Sequence, residues 1–188
     1  MSSQDSRRWF FCLPLEKPDQ ASFARLQCVC SPAALRPTDC RWAHVTLRFC
    51  GPLPPEASGQ LIDAFPLVPL PGPFVLRGEG DVVLMGADAW SLKLDCPPQL
   101  TECVRFAAEV CRRAGLAPER RPFVPHITIG RRRGRVNAAL FQPFERWSFS
   151  VEAVQLRTST LTPQGARYQI LASRSLPAAP QSQEEGKS

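Results

Sequence analysis

The alternation of apolar and polar positions along the chain predicts a repeated order of strands and helices. Short alternating or apolar runs, typical of β-strands, cover residues 8–15, 42–49, 74–77, 82–86, 89–94, 124–130, 147–157 and 166–172. Apolar residues at helical spacing predict helices over about 17–28, 55–65 and 97–115, the last with the strongest apolar stripe. A mixture of helices with locally antiparallel strands indicates an α+β fold.

Two of the predicted strands carry the same tripeptide pattern. His44-Val45-Thr46 and His126-Ile127-Thr128 contain the only two histidines of the chain, and each is followed two places later by one of only seven threonines. Residues i and i+2 of a strand share a face, so each strand presents an imidazole and a hydroxyl on one side. The apolar residues beside them point the other way, toward a core: Val45, Leu47, Ile127 and Ile129.

Each half of the chain contains a helix, a connector and one His-x-Thr strand. This duplication predicts two lobes related by a pseudo-two-fold axis, with the two strands side by side. We therefore expect two antiparallel sheets that line a central cleft, with helices on the outer faces and two histidines and two threonines on the floor. Residues 1–172 are expected to form this single bilobal domain, and the small, polar, proline-containing residues 173–188 a disordered tail.

The charge of the chain favours an anionic partner. The net charge is +6, and 20 of the 23 basic residues are arginine, whose planar fork suits phosphate. A positive field attracts polyanions, so a nucleotide or nucleic-acid substrate is plausible. Arg131, five residues after His126, is the arginine best placed to contact a phosphate. The following Arg132 to Arg135 are expected to form a solvated loop, with non-specific contact to an RNA backbone as the alternative.

Several other classes of protein do not fit the sequence. No apolar run reaches 18 residues, so no transmembrane helix is expected. The apolar run 9–15 is short, contains Pro14 and lacks a small-residue cleavage site, which favours an opening strand over a signal peptide. We expect a cytoplasmic, monomeric protein. The eight cysteines contain no Cys-x-x-Cys pair, and their scattered spacing does not favour a zinc site.

The two tripeptides and their flanking residues resemble the two-histidine phosphoesterases, specifically the RNA 2′,3′-cyclic phosphodiesterases, also called 2′-5′ RNA ligases. The similarity covers residues 44–51 and 121–131, the opening run 8–15, and residues 156–161 with 165–168. It implies a bilobal α+β fold, two motifs facing each other across a phosphate-binding cleft, and catalysis without a metal or another cofactor. Cys50 departs from the pattern, because the family more often has an aliphatic residue there.

The activity that the resemblance implies is hydrolysis of RNA 2′,3′-cyclic phosphate ends to 2′-phosphates. This reaction needs one base and one acid, and an ordinary histidine pKa of about 6.5 lets one imidazole be neutral and the other protonated near pH 7. Thr46, Thr128 and Arg131 can donate hydrogen bonds to the non-bridging oxygens. With the resemblance as a guide, we expect His44 to be the proton donor and His126 the acceptor, although the pseudo-symmetry leaves the reverse open.

Two other functions remain open from the sequence. One is a phosphodiesterase or ligase acting on 2′-5′-linked or small cyclic nucleotides, and the other is a catalytically idle RNA-binding module. The intact pair of tripeptides disfavours the idle module, because a binding protein does not require both an acid and a base. Phe123 and Trp42, which precede the two histidine strands, are the aromatic residues expected at the rim of the cleft.

Overall fold

The computed structural model describes residues 7–132, 136, 138–141, 146–162 and 165–178. The strands within these ranges are β1 (Arg8–Pro14), β2 (Leu35–Pro37), β3 (His44–Gly51), β4 (Phe74–Met85), β5 (Ala89–Leu94), β6 (His126–Arg132), β7 (Ser148–Val151), β8 (Ala153–Thr162) and β9 (Gly165–Ser175). The α-helices are α1 (Lys17–Cys30), α2 (Pro55–Ala64) and α3 (Pro98–Arg113). Single 3-10 turns cover Cys40–Trp42, Phe65–Leu67 and Ala138–Leu140. These elements confirm the α+β class.

The strands form one antiparallel sheet in the order β7-β4-β5-β6-β3-β1-β8-β9, and β2 pairs with the end of β6. We call β1, β3, β8 and β9 the first lobe, and β4 to β7 the second lobe. The lobes are joined where Val45 of β3 pairs with Ile127 of β6. The two expected antiparallel sheets are therefore joined into one continuous sheet, because the two histidine strands, expected side by side, pair with each other.

Two of the helices that cover the sheet, α1 and α3, each pack on the lobe opposite to that of the strand next to them in the sequence. Helix α1, which follows β1 of the first lobe, packs on the second lobe, where the ring of Phe23 lies 5.2 Å from that of Trp147. Helix α3, which precedes β6 of the second lobe, packs on the first lobe, where Phe106 lies 6.3 Å from Phe11 of β1. Each half of the chain therefore supplies a helix to the other half's strands.

The predicted strand over residues 147–157 is two strands. β7 pairs with β4 in the second lobe, whereas β8 pairs with β1 and β9 in the first lobe, so the chain changes lobe at Glu152. The alternation of buried and exposed residues continues through this point. The sequence pattern therefore contained no signal for the change of partner.

The last strand extends beyond its predicted end. β9 continues to Ser175, and Leu176 is 5% exposed, so the boundary expected at residue 172 lies too early. The remainder of the predicted tail, residues 179–188, lies outside the described residues. Within the described part of the chain, no helix is long and apolar enough to cross a membrane.

Candidate active site

The two His-x-Thr tripeptides meet where the lobes join. Val45 and Ile127 are register partners, and both are fully buried. The antiparallel register places His44 opposite Thr128, and likewise the first lobe's threonine opposite the second lobe's histidine. Neighbours of a buried strand residue point to the other face, so the four polar side chains share one face. The structure thus brings together both histidines and both threonines that the sequence singled out.

Each histidine ring is fixed by a backbone carbonyl two residues earlier. His44 Nδ1 lies 2.6 Å from the carbonyl oxygen of Trp42, and His126 Nδ1 lies 2.7 Å from that of Val124. A carbonyl only accepts, so Nδ1 donates in both rings. In the neutral ring this leaves Nε2 without a proton, which is the tautomer that a general base needs.

A β-bulge brings Arg131 onto the same face as Thr128. Thr128 pairs with Ser91 of β5, and Arg131 pairs with Ala89, so Ile129 is an extra residue in β6. Because Ala89 and Ser91 share a face of β5, their partners also share one. In a regular strand Arg131, three residues after Thr128, would point to the opposite side.

An ion pair holds Arg131 at the wall of the cleft. Its Nη1 donates to Oδ1 of Asp88 at 2.5 Å, and its side chain remains 59% exposed. A guanidinium has five N–H groups, so donors remain for a second partner after this contact. The structure therefore places Arg131 beside the tripeptides, as expected, but already paired with a carboxylate.

The first lobe repeats the same bulge. Cys12 of β1 pairs with Thr46 and Phe10 pairs with Phe49, which leaves Leu47 as the extra residue in β3. Phe49 is therefore the first lobe's counterpart of the arginine described above. The two lobes share their backbone geometry at this position but place different chemistry there, an aromatic ring in one and a cation in the other.

Aromatic rings surround His44. Its ring centroid lies 5.0 Å from that of Phe10 and 5.8 Å from that of Tyr168. Tyr168 in turn stacks on Trp42 at 5.6 Å. Trp42 was expected at the rim of the cleft, and the structure shows that it also supplies the carbonyl that orients the His44 ring.

This environment changes the acid–base behaviour of His44. Desolvation by burial lowers the pKa of His44 to about 4, the bond to Trp42 opposes this shift, and the positive charges of Arg157 and His126 add to it. His44 is therefore neutral at pH 7 and suits a proton acceptor. The expected assignment, with His44 as donor, remains a prediction, and the direction of the pKa shift favours the reverse assignment.

Arg157 is a buried cation that sequence reasoning did not single out. It is 3% exposed, and its Nε donates to Oε1 of Gln155 at 2.7 Å. Its Nη1 lies 3.4 Å from the carbonyl oxygen of Trp42, and its guanidinium lies 5.5 Å from the centre of the Trp42 ring. Arg157 therefore fixes the residue that holds His44. Its strand was predicted, but not the lobe to which that strand belongs.

Two further polar residues from β5 lie on the cleft face of the second lobe. The hydroxyl of Ser91, which is fully buried, lies 3.2 Å from that of Thr128. Lys93 is the register partner of His126 and forms an ion pair of 3.9 Å with Asp81. The alternation of residues in β5 indicated that Ser91 and Lys93 share a face. It did not indicate that β5 pairs with the histidine strand β6, so neither residue was predicted for the site.

Cys12, the register partner of Thr46, has the wrong protonation state for a nucleophile. Burial raises the pKa of its thiol to about 12, although the charge of Arg157 opposes the shift, so the sulfur is neutral at pH 7. Among the described residues, no three His, Cys, Asp or Glu side chains gather into a group that could hold a metal ion. Of the predicted basic loop Arg132 to Arg135, Arg132 is instead the last residue of β6 and is exposed, and residues 133–135 lie outside the described residues.

No protein-family model and no curated protein sequence matches the chain. Solved structures do match its fold. TT0787 of Thermus thermophilus has a TM-score of 0.74 at 23% identity, over 91% of this chain and 98% of that one. E. coli LigT complexed with 3′-AMP has a TM-score of 0.72 at 24% identity, over 90% and 98% of the two chains. The MHV ns2 PDE domain has a TM-score of 0.51 at 16% identity, over 77% and 98%. The chain therefore has the fold of TT0787 and LigT.

Proposed function

We propose that the chain hydrolyses RNA 2′,3′-cyclic phosphate ends to 2′-phosphates and is a two-histidine phosphoesterase. The observation that carries this proposal is the pairing of β3 with β6, which sets each histidine opposite the threonine of the other lobe. The fold supports it, since LigT has been solved with 3′-AMP, ATP and NADP+, and the ns2 domain is described as a PDE domain.

The two histidines supply the proton transfers. Neutral His44 accepts a proton through Nε2 from the attacking water, and the water oxygen forms a bond to phosphorus. The bond from phosphorus to the 3′-oxygen breaks, and His126 donates a proton to that oxygen. The phosphate stays on the 2′-oxygen. Each of these acid–base contributions is typically worth about 10²–10⁴-fold in rate.

The remaining polar groups stabilise charge on the phosphate. The hydroxyls of Thr46 and Thr128 share the face of the histidines and can donate to the two non-bridging oxygens as negative charge increases there. Ser91, at 3.2 Å, orients the Thr128 hydroxyl. Arg131 adds charge-assisted donors from the wall of the cleft while Asp88 holds its guanidinium in place.

The test uses a short RNA that ends in a 2′,3′-cyclic phosphate. We expect His44→Ala and His126→Ala each to lower kcat/KM by about 10²–10⁴-fold, with the 2′-phosphate as the product of the wild-type chain in chromatography. EDTA is expected to leave the rate unchanged. A wild-type rate in either variant would overturn the two-histidine proposal. RNA binding without turnover would identify the idle module, and turnover of 2′-5′-linked dinucleotides alone would identify the other alternative.

The same variants assign the acid and the base. A nucleoside p-nitrophenyl phosphodiester has a leaving group that needs no protonation, so only the base is required for its hydrolysis. We expect His126→Ala to recover most of its activity on this ester while His44→Ala remains impaired. Recovery in His44→Ala instead would show that His44 is the acid, as the resemblance implied.

A further inference from the structure

Two cysteines meet between β3 and α3, on the face of the sheet opposite to the cleft. Cys50 follows Phe49, which lies on the cleft face, so the Cys50 side chain points to the face on which α3 packs. Its Sγ lies 3.7 Å from Sγ of Cys111 in α3. Cys111 is fully buried, whereas Cys50 is partly exposed. The two residues are 61 positions apart, so only the fold brings the sulfurs together.

The side chain of Arg48 accompanies this pair of thiols. Its Nη2 donates to the carbonyl oxygen of Ala117. Its Nε is buried and has no hydrogen-bond partner within the described ranges. A buried donor without a partner is unfavourable, and it becomes favourable once an anion forms beside it. A thiolate at the cysteine pair is such an anion.

The pair gives up its first proton more readily than an isolated thiol does. The pKa of Cys111 is lowered, chiefly because Cys50 donates a hydrogen bond to its thiolate, and the positive charge of Arg48 adds to this shift against the effect of burial. The same hydrogen bond and burial raise the pKa of Cys50. The two sulfurs therefore favour the state with one thiolate and one thiol, which is the combination that thiol oxidation to a disulfide uses.

We propose that Cys50 and Cys111 form a redox-active dithiol site whose reactant is a hydroperoxide, with Arg48 as the cation that activates it. The site uses neither histidine, so it is independent of the proposed hydrolysis. Its product is a reversible disulfide between β3 and α3.

The oxidation proceeds in two steps. The thiolate sulfur attacks one oxygen of the hydroperoxide, the O–O bond breaks, and the hydroxide that leaves takes up the proton released by the thiol and becomes water. The attacking cysteine is then a sulfenic acid. The second sulfur attacks the sulfenic sulfur, the S–S bond forms, the S–O bond breaks, and the leaving hydroxide takes the second thiol proton. With hydrogen peroxide, two thiols become one disulfide and the peroxide becomes two waters.

The disulfide would join two walls of one groove. Phe49 of β3 and Arg112 of α3 line a groove of about 990 Å³ that also contains Thr46 and His126. Each of the first two residues is the neighbour in sequence of one cysteine of the pair. Closing the sulfurs from 3.7 Å to roughly 2.05 Å would therefore fix α3 against β3 directly behind this groove.

Peptide mapping of the full wild-type chain tests the site without any variant. The reduced chain is treated with hydrogen peroxide, the remaining thiols are alkylated, and the digest is analysed by mass spectrometry without reduction. We expect a linked peptide pair that contains Cys50 and Cys111 and that dithiothreitol separates. Oxidation of the exposed Cys28 and Cys96 without this linked pair would overturn the proposal.

Thermal unfolding compares two cysteine variants. Cys50→Val removes one sulfur of the pair, and the matched control Cys96→Ser removes an exposed thiol outside it. Peroxide should raise the Tm of the wild-type chain and of Cys96→Ser by roughly 4–16 °C, because a disulfide that closes a long loop constrains the unfolded chain. It should leave the Tm of Cys50→Val unchanged. An equal rise in Cys50→Val would overturn the proposal.

The rate at which the linked peptide forms at pH 7 tests Arg48. A tenfold smaller thiolate fraction slows the attack roughly threefold, since the thiolate that remains is more nucleophilic. We therefore expect Arg48→Gln to slow the reaction by about threefold or more, and Arg48→Lys, which keeps the charge, to react at a rate close to that of the wild-type chain. Equal rates in Arg48→Gln and the wild-type chain would overturn the assignment of Arg48.

The histidine variants separate this site from the proposed function. His44→Ala and His126→Ala should form the linked peptide at the wild-type rate, whatever their activity on RNA. Failure of RNA hydrolysis in the wild-type chain would overturn the proposed function and leave the dithiol site in place. Loss of the linked peptide in both histidine variants would overturn the independence of the two sites.

Discussion

At the scale of single residues, two histidines with the same hydrogen bond have different surroundings. Both rings donate from Nδ1 to a carbonyl two residues earlier. Only His44 is enclosed by aromatic rings, Phe10 and Tyr168, whereas His126 has Lys93 as its register partner. The pseudo-symmetric backbone thus produces two groups that are chemically unequal, which is what an acid and a base require.

The burial of His44 predicts a loss of stability in acid. Its pKa in the folded chain is about 4, below the ordinary value of 6.5. Between pH 6.5 and pH 4 the imidazole is therefore protonated in the unfolded chain and neutral in the folded chain. The stability that neutral His44 contributes is fully present above pH 6.5. It is lost as the pH falls toward 4, at up to about 1.4 kcal/mol of unfolding free energy per pH unit. Urea unfolding at pH 7, 6 and 5 should show that the difference between the wild-type chain and His44→Gln narrows as the pH falls. A constant difference would contradict the shift.

The sequence predicted those site residues that lie close together within one strand. It did not predict the residues that reach the site from strands distant in the sequence. The two histidines and threonines follow from a period of two within one strand. Arg157 and Tyr168 reach His44 only because β8 and β9 lie beyond β1 in the sheet. No pattern within those strands indicates that neighbour.

At the scale of elements, the paired β-bulges determine what reaches the cleft. Arg131 was expected near the phosphate because it continues the strand, but strict alternation would have turned it away from Thr128. The extra residue, Ile129, reverses that direction. Bulges of this kind leave no trace in an apolar pattern, since Leu47 and Ile129 are both buried, as alternation alone would require.

The close approach of β2 to β6 can be tested at Gly130. Gly130→Ala would place a Cβ 2.6 Å from a backbone oxygen of Arg36, so we expect a loss of roughly 1–3 kcal/mol in the free energy of unfolding. The matched control is Gly59→Ala in α2, where a Cβ meets nothing within 4 Å and a helical alanine should stabilise by about 0.5–1 kcal/mol. Urea unfolding measures both. A neutral Gly130→Ala would mean that β2 does not pack this closely.

At the scale of the whole molecule, the helix exchange makes the lobes depend on each other. The first lobe takes β1, β3 and α2 from the first part of the chain but α3, β8 and β9 from the second part. The second lobe takes α1 from the first part. The order of helix, connector and His-x-Thr strand in each half of the sequence indicated a duplication. This order does not show on which lobe each helix packs.

A cut in the proline-rich segment 66–73, which connects α2 to β4, tests whether the lobes depend on each other. Fragments 1–70 and 71–188 each lack part of both lobes, so we expect neither to show cooperative thermal unfolding by circular dichroism. An equimolar mixture should recover a single cooperative transition, because the exchanged helices bury apolar faces that each fragment alone leaves exposed. Cooperative unfolding of an isolated fragment would show that a lobe folds without its exchanged helix.

The exchange of α1 and α3 is the arrangement found in a domain-swapped dimer, here within one chain. Two half-length ancestors that traded helices and were later fused would leave this connectivity, with one histidine strand from each at the shared axis. The helix that covers each histidine strand would then come from the ancestor that supplied the other histidine strand. Loss of either half would remove one of the two histidines and would also expose the core beneath the other.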